Sequence, residues 1–111
     1  MIDTHGWVDA WPEHPNIHWL TPPRKVLVDM DIALGLARHT PRADRIPLHV
    51  KATAIHIDGI MAGTQFAWLR TTTSLWIAVV KVAATSGNHQ NTITLDLCVT
   101  EDAISLPIDH R

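Results

Sequence analysis

Between Trp7 and Trp19 the sequence sets His14 and His18 four residues apart, with His5, Asp9 and Glu13 close by. On a helix that spacing puts both imidazoles on one face, where they could share a divalent metal and take a third ligand from Glu13, Asp9 or His5. Pro12 and Pro15 oppose this, because they leave room for no more than one short helical turn starting at Pro15. The competing reading is an extended arm, residues 1–22, whose Trp7, Trp11 and Trp19 rings staple it to the rest of the domain or anchor it on another subunit. That second reading is preferred, and neither a metal nor a cofactor is expected.

A second candidate lies further on. Val26-Leu27-Val28-Asp29-Met30-Asp31 resembles the first motif of haloacid-dehalogenase-type phosphatases, in which a strand ends in Asp-x-Asp. The resemblance implies a nucleophile at Asp29, an acid/base at Asp31 and Mg²⁺ between them and a phosphate. It covers six residues and then departs, since Ile32 stands where that family usually has Gly, and no alternation of strands and helices follows. The plainer reading puts both carboxylates near the N-terminal end of a helix, where negative charge is favoured.

Cys98 is the single cysteine, so it can form neither an intramolecular disulfide nor a multi-cysteine zinc site. As a nucleophile it would need a lowered thiol pKa, and Asp96 on the same strand face works the other way. Thr71-Thr72-Thr73-Ser74 and Ser86-Gly87-Asn88 match no phosphate-binding loop and read as hairpin connections. His49 and His56, seven apart, fall on opposite faces of a regular strand.

The elements that would carry these residues belong to one domain. The chain has 111 residues, 46% of them hydrophobic and 18% charged, with a formal charge of −2. Five Trp and eight His accompany one Phe and no Tyr. Arg24, Lys25, Arg38, Arg42 and Arg45 form the one basic cluster, but nine Lys and Arg against eleven acidic residues make nucleic acid a disfavoured partner. No run of 18 apolar residues occurs, as Leu75 to Ala84 is short and broken by Lys81, so no membrane span is expected. Asp3 and Asp9 near the start are wrong for a secretory signal, and a reducing cytoplasmic location is expected.

Five of the seven prolines precede residue 42, and β-branched residues crowd the second half. The pattern predicts a helix over 23–39, with Val26, Met30, Ala33 and Ala37 as its apolar stripe and Pro22-Pro23 at its first turn. A linker over 40–47, a β region over 48–106 and a tail over 107–111 follow. Strands are expected at Leu48–Ile57, Thr64–Thr71, Leu75–Ala84 and Thr92–Thr100, then a short piece at Ala103–Leu106. Leu75–Ala84 is the central one, Asp58-Gly59 is a tight turn, and Phe66 and Trp68 share a face.

Four or five short antiparallel strands closing on a brief last one resemble a small SH3-like β-barrel over Leu48–Leu106. The fold class expected is therefore mainly β (α+β), one domain with an N-terminal Trp/Pro-rich arm and one helix. The expected function is a non-enzymatic binding or adaptor module acting by protein–protein contact or self-association through Trp7, Trp11, Trp19, Phe66 and Trp68. The alternatives are a metal-dependent hydrolase using His14, His18 and the N-terminal carboxylates, and a nucleic-acid-binding accessory protein.

Overall fold

The computed structural model describes residues 2–36, 47–57 and 59–107. Strands dominate: β1 (Ile17–Asp29), β2 (Ile55–His56), β3 (Ile60–Arg70), β4 (Trp76–Ser86), β5 (Thr92–Thr100) and β6 (Ile104–Ser105). They form one antiparallel sheet in which β6 pairs with β1, β1 with β3, β3 with β4 and β4 with β5. The two residues of β2 continue the line of β3 along the far end of β4. Two short helices, α1 (Met30–Ala33) and α2 (Leu48–Thr53), and a 3₁₀ turn at Glu101–Ala103 complete the described structure. The sheet is open: among the described residues β5 and β6, joined through the 3₁₀ turn, do not pair with each other.

The expected helix over 23–39 is corrected by this topology. Residues 24–29 are the second half of β1, and the helix is a single turn at Met30–Ala33. Val26 and Val28 are completely buried while Leu27 is only partly so, a period of two that a half-covered strand demands. Pro22 and Pro23, read as the first turn of a helix, instead occupy an irregular stretch of β1: the register with β3 jumps between Trp19 and Arg24. Asp29 starts α1 by accepting from the backbone N–H groups of Asp31 and Ile32 at 3.1 and 3.2 Å, an N-cap. Gly35 follows at φ +65°, a conformation that ends helices. The rest of the expected helix, the linker over 40–46, Asp58 and the tail beyond Pro107 lie outside the described residues.

Leu48–Ile57, expected as a strand, is also corrected. Six of its residues form α2 and only Ile55 and His56 pair with β4. None of α2 is buried, so no alternating core face selects the strand. What holds it is the β4–β5 hairpin: Gly87 donates to the Ala54 carbonyl at 3.0 Å and Asn88 to the Ala52 carbonyl at 2.8 Å. Those bonds engage carbonyls at the helix C-terminal end that have no partner within the helix. A Cβ at Gly87 would stand 3.2 Å from the Lys51 and Ala52 oxygens, so glycine lets the turn approach α2 without pushing that backbone away.

The remaining strands follow the alternation. Val26 and Val28 of β1, Ala78, Val80 and Val82 of β4, and Val99 of β5 form one buried face, closed over by Met30 and Ala103. Each fully buried valine contributes about 1.5–3 kcal/mol. Gly63 of β3 lies between them, since a Cβ there would meet the Lys81 carbonyl oxygen at 3.0 Å and the Cγ2 atoms of Val28 and Val82 at 3.2 Å.

A β-bulge separates the two aromatic residues of β3. Gln65 pairs with Val80 and Ala67 with Val79, leaving Phe66 as the extra residue. Trp68 consequently pairs with Ala78 and packs against the core, whereas Phe66 lies under the Lys81 ammonium, 5.5 Å from its ring centre, on the opposite face. Phe66 and Trp68 therefore do not share a face, contrary to a count of two along a regular strand.

Candidate functional site

The N-terminal segment is a closed loop. Asp9 accepts from Trp7 Nε1 at 2.9 Å, from the Asn16 N–H at 3.1 Å and from the Ile17 N–H at 3.3 Å, tying both ends of the loop to one carboxylate. The Trp7 bond above all, then the Asn16 and Ile17 donors, outweigh desolvation and hold this carboxyl below its ordinary 3.8. Arg70 fixes the other side, giving Nε to Asn16 Oδ1 at 3.1 Å and Nη2 to the carbonyls of His14 and Pro15 at 3.1 and 3.2 Å. Trp11 lies between the tied ends and is 69% exposed; Trp7 is 54% and Trp19 40% exposed. The rings do not staple an arm to the core: polar groups hold the loop and leave the tryptophans largely in water.

On the core face, where β6 crosses towards β1, lies a cleft of about 410 Å³. Trp68 and Trp76 contribute its aromatic surface, and β1 brings His18 and Arg24 to it. The register explains the meeting. His18 pairs with Trp68 and Arg24 with Gln65 across β1 and β3, while Trp68 pairs with Ala78 two residues from Trp76. Ile104, Ser105 and Leu106, with Glu101 from the 3₁₀ turn, form the other side.

Arg24 is held in place. Its Nε donates to Gln65 Oε1 at 2.8 Å, and its guanidinium carbon stands 5.7 Å from the Trp68 ring centre. Gln65 is completely buried, and its own Nε2 donates to the Ala67 carbonyl at 3.2 Å, which fixes which end of the amide faces Arg24. Trp76 carries a second cation, with Arg70 at 5.1 Å from its ring centre. Both contacts are in the range where a ring face attracts a cation.

The other candidates separate. His18 lies within β1 and faces the cleft, while His14 lies in the loop before it with its carbonyl on Arg70. No helix puts these two histidines on one face. Among the described residues no three His, Cys, Asp or Glu side chains gather closely enough to hold a metal ion. Asp29 is occupied as the cap of α1, which answers its place in the Asp-x-Asp motif by a structural role. Cys98 is exposed on β5. Arg24 and Lys25 are neighbours in a strand and point to opposite faces; Arg38, Arg42 and Arg45 lie outside the described residues. No described helix is long and apolar enough to cross a membrane.

Sequence reasoning missed Gln65, Trp76, Glu101 and Ile104 as a group with Arg24. The signal was faint: Trp68 and Trp76 on neighbouring strands were visible, but their meeting with Arg24 depends on the pairing of β1, which the helix reading removed. Comparisons with family models, curated proteins and solved structures find nothing that matches this chain.

Proposed function

We propose that this chain is a non-enzymatic binding module that works by protein–protein contact, its principal surface being the β5 edge and its first partner a second copy of itself. The observation that carries the reading is the state of that edge. Ser86 donates to the Asn91 carbonyl at 2.9 Å, which makes this residue pair a hydrogen-bonded one. Hydrogen-bonded pairs recur every second residue in an antiparallel ladder, so Ile93, Leu95, Leu97 and Val99 bond to β4. The N–H and C=O groups of Thr92, Thr94, Cys98 and Thr100 then face away from it, and among the described residues no strand lies on that side.

The strand has no proline and a single charge, Asp96, whose carboxylate is already engaged 4.0 Å from the Lys81 ammonium, and the outward groups of Thr92, Thr94, Cys98 and Thr100 are the template it offers a further strand. Its sequence suits its own copy. Antiparallel pairing about a two-fold axis at Leu95 sets Ile93 of each copy, 45% exposed in one chain, beside Leu97 of the other. The same register places Asp96 opposite Thr94 and keeps the two Asp96 carboxylates from facing each other. The exposed Trp11 loop is a second contact. The strand order β6-β1-β3-β4-β5, with a 3₁₀ turn before the last short strand, supports an SH3-like architecture in its open form. A reducing, cytoplasmic setting accords with an exposed lone cysteine.

Light scattering across a concentration series tests the edge. The wild type is expected to pass from monomer to dimer. Thr94→Pro or Cys98→Pro, each removing an N–H that β4 does not use, is expected to weaken the dimer at least about tenfold with an unchanged far-UV spectrum. A wild type that stays monomeric at all concentrations, or proline variants that fold and dimerise as well as the parent, would overturn the assignment.

A further inference from the structure

The geometry points to a second site, separate from the β5 edge: the cleft at Trp68 and Trp76 binds the carboxylate of a ligand with a flat apolar body, with Arg24 as its anchor. Only Nε of Arg24 is engaged, by buried Gln65, and among the described residues nothing accepts from its two Nη groups. An arginine lying alone over a ring samples many orientations. This one is oriented by an amide that is itself locked to the Ala67 carbonyl, and ordering a long side chain in advance lowers the cost of binding. The planar fork presented to the cleft matches two oxygens of a carboxylate or a phosphate.

The surroundings choose between those two anions. Glu101 lines the same cleft and adds one negative charge to it. A dianionic phosphate meets that charge twice over, while a carboxylate meets it once and leaves Glu101 and Ser105 to accept from an N–H or O–H elsewhere on the ligand. The cleft also lacks what phosphate sites generally use: Arg24 is at the end of no helix, and no glycine lines the wall. The body of the ligand is set by Trp68 and Trp76, each with a guanidinium over one ring face, whose remaining apolar surface in the cleft, with that of Ile104 and Leu106, favours a planar or aromatic group. A volume of about 410 Å³ suits a molecule of that kind, lying within the roughly 300–1,000 Å³ span of small-molecule sites.

This chemistry has two sources: a free aromatic acid, or the C-terminal carboxylate of a peptide that ends in an aromatic residue. Both present one carboxylate next to one flat apolar group. Titrations followed by the indole N–H signals of the protein in two-dimensional NMR separate them. The probes are 3-phenylpropionate, its neutral amide, N-acetyl-alanyl-phenylalanine with a free or an amidated C-terminus, and inorganic phosphate.

At least one of the two acids is expected to move the Trp68 and Trp76 signals saturably, and whichever acid binds more tightly identifies the source. Its neutral amide is expected to bind at least about tenfold more weakly. Arg24→Lys keeps the charge but loses the fork and is expected to lose affinity by a similar factor; Arg24→Gln is expected to lose binding altogether. Gln65→Leu, which removes the brace but leaves the guanidinium, is expected to fall in between. An unchanged set of indole signals outside the cleft confirms that each variant is folded. Acid and amide binding alike, phosphate moving the two signals at least as well as the acids, full affinity in folded Arg24→Gln, or no response to either acid would each overturn the assignment.

Discussion

The two edges of this sheet are built in opposite ways. On the β1 side, β6 pairs with Leu27 and Val28, and further along the strand Pro22 and Pro23 interrupt the ladder where the register shifts against β3. Prolines, bulges and short covering strands are how edges are kept from pairing with other chains. Among the described residues the β5 side has none of these. Its nine residues run without proline or bulge, and the chain that leaves it crosses over the core face instead of covering it. The contrast teaches that edge protection here is local: prolines and a covering strand mark the β1 side, and among the described residues neither lies along β5.

The largest way to break the comparison is to remove the interior that both edges share. Gly63→Ala sets a methyl group against the Lys81 oxygen at 3.0 Å and two valine methyls at 3.2 Å, in the middle strand that joins β1 to β4. A loss of about 1–3 kcal/mol in denaturant unfolding is expected, from overpacking against backbone that cannot yield. Unaltered stability would mean that β3 shifts easily between its neighbours, and the two edges would then not be fixed relative to one rigid sheet.

A sharper test converts one edge towards the other. Pro23→Val restores a backbone donor in the guarded stretch of β1, and the variant is expected to form species larger than the parent in light scattering, because each molecule then has two edges open to pairing. If assembly is unchanged, β6 and the bulge suffice for protection and the prolines are not its cause.

The smallest effect concerns the loop that leads into β1. Asp9 has a depressed carboxyl pKa when folded, so its contribution is present above the unfolded value and is lost as pH falls through the lower, folded one. The Trp7 indole N–H signal is expected to titrate with a midpoint under 3.8, while the amides of β4 and β5 hold their positions. Asp9→Asn should abolish that titration. A Trp7 signal that moves only with global unfolding would show that the loop is held by Arg70 alone.

How far these features were legible in the sequence depended on how local their causes were. β5 was placed at its observed limits and β4 within two residues, because strict alternation and the Ser86–Asn91 turn are written in adjacent residues. β1 was not, since Pro22-Pro23 before an apolar stripe is a legitimate helix start, and only pairing with β3 makes it a strand. α2 was read as part of a strand because Val50 and the following Ile55 favour one, but an anchor more than thirty residues away selects the helix. The bulge at Phe66 carries no marker in composition, and it decides which aromatic reaches the cleft. For the candidate sites, Trp7, Trp11 and Trp19 are exposed, which leaves their expected role in contact a proposal, whereas the Arg24 cleft depended on long-range register throughout.

The attachment of α2 to the β4–β5 hairpin has a kinetic consequence. Gly87 and Asn88 sit in a surface turn, where backbone protons ordinarily trade with water almost at once. Because they are donated to the carbonyls of Ala52 in α2 and of Ala54, its C-cap, their exchange waits on detachment of α2. The helix thus serves as a latch on the end of the hairpin where β5 begins, and slow exchange at those two amides would report how often the latch lifts.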